Sequence, residues 1–253
     1  MPARRRWQDV GRRARRFPRG IDDVSYPSLT TTGRARQGLV MCGRFALDSA
    51  MLRLRELFGT VNALPNFAPS SNIAPTQSAP VVRRHPQTGA RHLDVLSWGL
   101  VPHWTKSLAT ARRPFNARSE IAASTPMLRD AMAHRRCLVP MDAFYEWQAT
   151  PAGKIPHTIA RADGEVLVVA GLWEGWRGPD SELLRSFAIL TTAACPALQA
   201  LHDRMPVVLE PADWPGWLGE VEADVALLMR PSKAELAISL GMRQAGDASA
   251  GPR

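Results

Sequence analysis

The feature that most constrains the fold of this chain is an abrupt change of residue pattern at Met41. Residues 1–40 contain ten arginines interrupted by proline and glycine and show no apolar periodicity, whereas apolar residues recur from Met41 to about Leu240. A segment with so few apolar side chains cannot bury enough surface to offset the entropy cost of folding. The sequence therefore predicts a disordered extension over 1–40, a single globular domain over 41–243 and a tail over 244–253.

The charge follows the same division. The net charge is +9 at pH 7, and the first forty residues carry +7 of it, ten arginines against three aspartates, which leaves +2 for the rest of the chain. The globular part is only mildly basic, so net charge alone does not identify a nucleic-acid-binding protein. Apolar residues make up 45% and charged residues 22%, which is the balance of a soluble globular protein.

The sequence also argues against several classes of protein. It has no apolar run of about 18 residues, and no apolar segment follows the N-terminal arginines, which argues against a membrane span and an export signal. The three cysteines, Cys42, Cys137 and Cys195, lie far apart and do not have zinc-ligand spacing. We therefore expect a cytoplasmic protein without a disulfide framework, a metal or a cofactor.

Short apolar runs typical of strands outnumber helical segments and do not alternate regularly with them. Ser49 or Asp48 is suited to cap a first helix that ends at Gly59. Strands are predicted over 79–83, 93–98, 136–139, 157–160, 166–172, 186–191 and 205–209, and further helices over 128–134, 196–201, 211–217 and 233–240. This order favours an α+β domain built on a curved, largely antiparallel β-sheet with flanking helices.

The motif Met41-Cys42-Gly43-Arg44-Phe45 lies where the globular pattern begins. If Met41 were the initiator and were removed, Cys42 would carry both a free α-amine and a thiol. An α-amine has a pKa of about 7.7–8.0, so a useful fraction of it is neutral and nucleophilic at neutral pH. It can condense with an aldehyde to an imine, which the thiol closes to a five-membered thiazolidine. The alternative is a buried structural cysteine on a first strand.

Seven further motifs follow Cys42 in order. They are Asn72-Ile73-Ala74-Pro75, Trp98-Gly99-Leu100-Val101-Pro102-His103-Trp104, Phe115-Asn116-Ala117-Arg118-Ser119-Glu120, Cys137-Leu138-Val139-Pro140, Phe144-Tyr145-Glu146-Trp147, Ala170-Gly171-Leu172-Trp173 and His202-Asp203-Arg204-Met205-Pro206. From Cys42 to about Leu209 the series closely resembles the SOS-response-associated peptidase (SRAP) family of abasic-site processing proteins. The resemblance implies an SRAP-like domain that crosslinks covalently to abasic sites in single-stranded DNA during the DNA damage response.

The resemblance also implies catalytic roles for Cys42, Asn116, Glu146 and His202. The amine of Cys42 would attack the C1′ aldehyde of ring-opened deoxyribose. Glu146, flanked by two aromatic residues, would act as acid and base, because partial desolvation raises a carboxyl pKa. Asn116 would orient the amine or the sugar, and His202 would donate to a sugar oxygen. Taken singly, each of these last three residues has a structural alternative: for Glu146 a solvated or ion-paired carboxylate, for Asn116 an asparagine that braces a turn, and for His202 a histidine at the end of a helix.

The DNA-binding residues that the resemblance implies are Arg44, Asn72, Pro75, Trp104, Arg118, Thr191 and Arg204. The three arginines adjoin the proposed catalytic residues in sequence and could bind phosphates. The tryptophan and the proline could stack on or wedge beside bases, as in sites that hold single strands without reading their sequence. The expected partner is single-stranded DNA that contains abasic sites, and we expect a monomer.

Two features depart from the family pattern. While residues 1–40 are attached, Cys42 has no α-amine, so we expect translation to start at Met41. The alternatives are exposure of Cys42 by proteolysis, including an autopeptidase activity of the domain, and a chain that does not crosslink. Residues 227–253 lack the Ser-x-x-Val-Asn strand segment usual in the family. The sheet is therefore expected to lack an element or to be completed differently.

Two alternative functions remain open. An N-terminal-nucleophile amidotransferase also begins Cys-Gly once methionine is removed, but its glutamine-binding arginine and Asn-Gly elements are not found downstream of Cys42. A non-catalytic single-stranded DNA-binding protein would carry the same motifs with Cys42 blocked. The mass of the N-terminal peptide of the native protein distinguishes this binding protein from the crosslinking enzyme.

Overall fold

Strands provide most of the regular structure in the part of the chain that the computed structural model describes, residues 43–244. The predicted extension over 1–40, Cys42 itself and most of the predicted tail lie outside the described residues. The elements in chain order are β1 (Phe45–Leu47), α1 (Met51–Phe58), β2 (Ser70–Ile73), β3 (Ser78–Arg84), β4 (Arg91–Trp98), β5 (Asn116–Arg118), α2 (Ser119–Ala122), α3 (Arg129–His134), β6 (Arg136–Met141), β7 (Ala143–Thr150), β8 (Gly153–Arg161), β9 (Leu167–Arg177), β10 (Leu183–Ala193), β11 (Arg204–Pro206), a 3-10 turn (Pro211–Asp213), α4 (Trp214–Leu218), α5 (Val225–Leu228) and β12 (Leu236–Leu240).

The strands form two sheets. The first has the order β12-β8-β7-β1-β2, and all of its pairs are antiparallel. The second has the order β11-β10-β4-β3-β6-β9, with β5 added beside β10. Because β10 also pairs with β9, five strands of this sheet close into a barrel-like ring, and only the pairings of β10 with β4 and β5 are parallel. The prediction of an α+β fold on curved, largely antiparallel sheet is confirmed.

The first helix begins differently from its prediction. Its N-cap is Ala50, which provides no side-chain cap, rather than Ser49 or Asp48. The carboxylate of Asp142 accepts hydrogen bonds from both of those backbone N–H groups, at 2.8 and 2.5 Å, and from the Ser49 hydroxyl at 2.6 Å. A carboxylate from a distant turn thus holds the residues that precede the helix. The predicted end at Gly59 is confirmed, since this residue has the left-handed φ of 62° that favours glycine.

All seven predicted strands coincide with observed ones, although the last is shorter than predicted, at Arg204–Pro206. Two helix predictions are wrong. Residues 196–201 form consecutive turns. Residues 233–240 contain the strand β12, which pairs along β8 from Leu236 opposite Arg161 to Leu240 opposite His157. Alanine, leucine and glutamate favour a helix there, but pairing with the open edge of β8 satisfies more backbone groups than an exposed helix would. The sequence predicted that the sheet would either lack an element or be completed differently, and β12 completes it at the edge of β8.

One core contact explains the Ala170-Gly171-Leu172-Trp173 motif. A Cβ atom at Gly171 would lie 2.8 Å from a methyl group of Val139 and 2.9 Å from the sulfur of Cys137. These distances leave no room for a side chain, so glycine permits β9 to pack against β6. Burial also raises the pKa of the Cys137 thiol well above its usual range. This thiol is therefore an inert part of the core.

Trp98, at the end of β4, joins the two sheets. Its ring packs edge-on against Phe45 of β1, with centroids 5.1 Å apart, and against Phe115, with centroids 5.8 Å apart. Its Nε1–H donates to the Phe115 carbonyl at 2.8 Å. Phe45 is the last residue of the motif that contains Arg44, and Phe115 precedes Asn116. One buried indole therefore sets the spacing between two segments that carry predicted site residues.

No helix in the described range 43–244 combines the length and apolar character that a membrane span requires.

Replacing Trp98 by Phe should lower the free energy of unfolding by about 1–3 kcal/mol, because it removes packed ring atoms and one of the two donors to the Phe115 carbonyl, which keeps only the Ile189 N–H. Urea denaturation measures the change. Trp104→Phe is the matched control, since the Trp104 side chain is 56% exposed and should tolerate the change within about 0.5 kcal/mol. Equal effects of the two substitutions would contradict a special role for Trp98.

Candidate functional site

The first group of predicted residues lies on the five-stranded sheet. Phe45 pairs with Phe144, and the Tyr145 N–H donates to the Arg44 carbonyl at 3.0 Å. Continuing this antiparallel register by one residue places Gly43 beside Glu146. Gly43 is one peptide bond from Cys42, which lies outside the described residues. The backbone pairing therefore brings the segment that leads to the predicted nucleophile alongside the predicted acid/base.

Glu146 is a buried carboxylate, with 3% of its surface exposed. It lies on β7, a strand whose alternation directs Tyr145 to the opposite face of the sheet. The Tyr145 hydroxyl donates to the Ser71 carbonyl at 2.6 Å and so attaches β7 to β2. Ionisable side chains are rarely this buried without a structural or chemical reason. The burial of Glu146 matches the desolvated environment that was predicted for an acid/base residue.

Arg44 and Asn72 lie together on the same sheet. The Arg44 Nη1 group donates to the Asn72 Oδ1 atom at 2.9 Å. Arg44 is half-buried and Asn72 is exposed, so the pair lies at the surface. The neutral asparagine side chain orients the Arg44 guanidinium but does not neutralise its positive charge.

A second group lies on the seven-stranded sheet. The parallel pairing of β5 with β10 places Asn116 opposite Ile189 and Arg118 opposite Thr191. The Thr191 hydroxyl donates to the Ala117 carbonyl at 3.2 Å. Thr191 is almost completely buried and Arg118 is exposed. Thr191 therefore supports β5, whereas Arg118 is accessible to a ligand.

The His202 imidazole is buried, and the backbone orients it. Its Nδ1 atom accepts the Arg204 N–H at 2.9 Å, which requires that Nδ1 be unprotonated and that the neutral ring carry its hydrogen on Nε2. Asp203 Oδ1 also lies 2.9 Å from Nδ1, an arrangement suited to the protonated ring. Asp203 is largely exposed and solvated, so we assign the neutral tautomer from the fixed backbone donor. The Nε2 atom is buried and has no hydrogen-bond partner within residues 43–244.

Arg204 is held by protein groups. Its guanidinium pairs with both carboxylate oxygens of Glu120 and donates to the Thr191 carbonyl at 2.6 Å. The hydrogen bond from Arg204 lowers the pKa of the Glu120 carboxyl. This clamp joins the loop after His202 to the segment after Asn116. A phosphate contact by Arg204 stays a prediction, and it would require the phosphate to compete with Glu120.

The two groups are connected through the Trp98 contacts described above. Beside them, the Thr76 N–H donates to the Trp98 carbonyl at 2.7 Å, and Thr76 adopts a φ of 76°, which is uncommon for a β-branched residue. This contact positions the neighbouring Pro75, which is half-buried. Pro75 therefore directly precedes a residue that is hydrogen-bonded to the backbone of Trp98.

An open pocket of about 460 Å³ adjoins Asn116. Arg112, Arg113 and Phe115 are among the residues that line it with Asn116. Arg113 donates to the Ser97 hydroxyl at 3.1 Å, and Arg112 is exposed. These two arginines are not among the residues predicted from the sequence. Their position just before the Phe-Asn-Ala-Arg motif could have identified them as neighbours of Asn116. Glu120 was also not selected, because its partner lies 84 positions away.

The two cysteines in the described range carry no predicted role, and no metal site is formed there. Cys137 and Cys195 are buried free thiols. Within residues 43–244, no three side chains of histidine, cysteine, aspartate or glutamate are grouped closely enough to hold a metal ion.

Comparisons with known proteins identify the family. The family model described as SOS response associated peptidase (SRAP) matches residues 41–240. The chain is 33% identical over 201 residues to the abasic site processing protein YoqW of Bacillus subtilis, covering 77% of this chain and 89% of that protein. It is 30% identical over 185 residues to the abasic site processing protein YedK of Escherichia coli, covering 70% and 79%.

Solved structures are similar as well. A protein from Bordetella bronchiseptica superimposes with a TM-score of 0.70 at 28% identity, covering 80% of this chain and all of that one. A protein from Bacteroides thetaiotaomicron superimposes with a TM-score of 0.72 at 21% identity, covering 79% of this chain and 91% of that one, which supports the fold alone. The family match covers most of the chain and includes every residue placed in the site above. The chain therefore belongs to the SOS response associated peptidase (SRAP) family.

Proposed function

We propose that this protein processes abasic sites in single-stranded DNA by forming a covalent crosslink through the α-amine and thiol of Cys42. The relatives named as abasic site processing proteins support the substrate class. The observation that carries the proposal is the strand register that brings Gly43, the neighbour of Cys42, beside the buried carboxylate of Glu146.

The chemistry proceeds in two steps. The Cys42 nitrogen forms a bond to C1′ of the open-chain sugar, and the aldehyde oxygen takes up protons and leaves as water, which gives an imine. The Cys42 sulfur then adds to the imine carbon while the thiol proton passes to nitrogen. One water is released overall, and the product is a thiazolidine that needs no oxidant or reductant.

The described residues suit the proton transfers in this sequence. Glu146 can take the proton that the attacking amine loses and return it to the departing oxygen. His202, with its hydrogen on Nε2, can donate a hydrogen bond to a sugar oxygen without first changing its charge. Asn116 borders the 460 Å³ pocket and can orient the amine or the sugar from there. Strand pairing positions Glu146 and Asn116, and the Arg204 N–H positions the His202 ring.

The exposed residues suit a single strand. Arg44 and Arg118 present guanidinium groups at the surface of the two sheets, and Trp104 presents an exposed ring. This combination of phosphate contacts and a stacking ring holds single strands without reading their sequence. The proposed interface also includes Asn72 and Pro75. Thr191 and Arg204 support it through their contacts with β5 and Glu120.

A chain that begins at Cys42 should form an adduct with a single strand that contains an abasic site, and it should form none with an intact strand. The Cys42→Ala variant keeps the amine but cannot close the ring, so its adduct should be an imine that is lost on denaturing gels without borohydride. Cys195→Ala, which removes a buried thiol elsewhere, should crosslink like the parent. A stable adduct from Cys42→Ala would contradict the thiazolidine. DNA binding without any adduct from the parent would support the non-catalytic binding protein.

Replacing Glu146 by Gln should slow crosslinking about 10²–10⁴-fold while DNA affinity stays nearly unchanged, because the amide keeps the shape of the side chain but cannot transfer the proton. Single-turnover crosslinking at saturating DNA measures the rate. Glu165→Gln, at an exposed glutamate that pairs with Arg53, is the matched control and should not change the rate. A parental rate for Glu146→Gln would show that the carboxylate has no acid/base role.

Replacing Arg118 by Ala should weaken binding of undamaged single strands of any sequence and reduce the slope of log K against log salt by about 0.7, the value expected for one lost phosphate contact. Fluorescence anisotropy over a range of salt concentrations measures this. Arg53→Ala removes an arginine on α1 and should leave the slope unchanged. An unchanged slope for Arg118→Ala would assign that residue a structural role only.

A further inference from the structure

A second cavity, of about 720 Å³, lies beside the loop 85–89 and the junction of α3 with β6. Five of the residues that line it are basic, namely Arg84, His85, His134, Arg135 and Arg136, and none is acidic. We call this cavity the Arg84 pocket. It shares no lining residue with the pocket beside Asn116.

Two of its arginines are anchored by carbonyl oxygens rather than by carboxylates. Arg84 Nη1 donates to the Gly219 carbonyl at 2.7 Å. Arg136 donates to the carbonyls of Trp217, Met132 and Ala133. Neither arginine forms a salt bridge with another described residue, and the Nη2 group of each makes no hydrogen bond within residues 43–244. The Arg136 guanidinium also lies 5.8 Å from the centroid of the Trp217 ring. Both guanidinium groups are thus oriented, and neither is neutralised by a carboxylate of a described residue.

The carboxylates near the pocket are already paired. Glu174 is buried and contacts Arg135 Nη2 at 2.6 Å. Glu220, next to Gly219, pairs with Arg91 at 2.6 Å. Desolvation lowers the pKa of Arg136, so an anion that entered the pocket would relieve part of the cost of burying its charge. The local field therefore favours a negatively charged ligand.

The pocket also contains an aromatic surface. Trp173 lines it, and the Arg83 guanidinium lies 4.7 Å from the centroid of the Trp173 ring. Arg83 is itself paired with Asp94 at 2.7 Å, so it supports the ring rather than adding a free charge. Uncompensated guanidinium groups next to an indole match the two parts of a nucleotide, its phosphate and its base.

A buried carboxylate links this pocket to the proposed DNA surface. Glu174 contacts Arg135 in the pocket through one oxygen and His103 through the other, at 3.5 Å. His103 precedes Trp104, the exposed ring of the proposed interface. The loop that carries Trp104 is held further by the Trp176 Nε1–H, which donates to the Thr105 carbonyl at 2.6 Å. The pocket and the stacking loop therefore share one rigid support.

We propose that the Arg84 pocket is a second binding site for the DNA strand, in which Arg84 and Arg136 bind a phosphodiester and Trp173 contacts an adjoining base. This inference rests on the proposed function, since it takes single-stranded DNA as the ligand. It adds a contact that none of the motifs assigns and predicts that the strand continues past Trp104 across the α3–β6 junction.

The test uses the full chain and an undamaged single strand that is long enough to span both sites, so that no crosslinking is involved. Arg84→Gln should weaken binding and reduce the salt slope by about 0.7, because one phosphate contact is lost. Arg53→Gln is the matched control and should change neither. A strand containing 5-bromouracil should photocrosslink to Trp173, and Trp173→Leu should abolish that crosslink.

The possible failures can be distinguished. If Arg118→Ala weakens strand binding while Arg84→Gln behaves like Arg53→Gln, the second site is wrong and the proposed function stands. If neither Arg118 nor Arg84 affects strand binding, the proposed DNA surface is wrong as well. If inorganic phosphate protects the parent, but not Arg84→Gln, against thermal unfolding while strand binding does not depend on Arg84, the pocket is a site for free phosphate and the strand assignment is overturned.

Discussion

The Trp98 indole contacts both sheets at the place where they approach each other, and the geometry of the candidate site depends on that contact. Its ring packs against Phe45 and Phe115, and its N–H binds the Phe115 carbonyl. Phe45 leads back to Gly43, whose strand pairs beside that of Glu146, and Phe115 directly precedes Asn116. Apolar packing of one indole therefore sets the spacing between the two segments that carry the predicted residues.

The residues of the site fall into two classes that differ in burial. Glu146 and His202 are buried, and both are located by backbone: Glu146 by strand register and His202 by the Arg204 N–H. Arg118 and Trp104 are exposed, and in the proposed function they can adjust to a flexible strand. Reacting groups need fixed distances, whereas contacts to a DNA backbone tolerate movement. The fold therefore provides rigidity where bonds would change and exposes the groups that only hold the ligand.

Much of the fold could be predicted from the sequence, because apolar periodicity is a local property. The strands and the end of the first helix at Gly59 were found this way. Residues 233–240 were misassigned as a helix because their composition is helical, and the open edge of β8 that recruits them is not visible locally. The pairing of Glu120 with Arg204 was missed because it depends on β5 lying parallel to β10. Local pattern predicts which residues could carry chemistry, whereas tertiary pairing determines which of them meet.

The His202-Asp203-Arg204 sequence supplies Nδ1 of the imidazole with two different partners. The Arg204 N–H suits the neutral ring, and the Asp203 carboxylate, at the same 2.9 Å, suits the protonated ring. The two partners compete for one ring atom, and the backbone N–H, whose position is fixed, makes Nδ1 an acceptor and leaves the ring hydrogen on Nε2. One main-chain amide, only two residues along the chain, thus sets the direction in which a buried imidazole presents its N–H group.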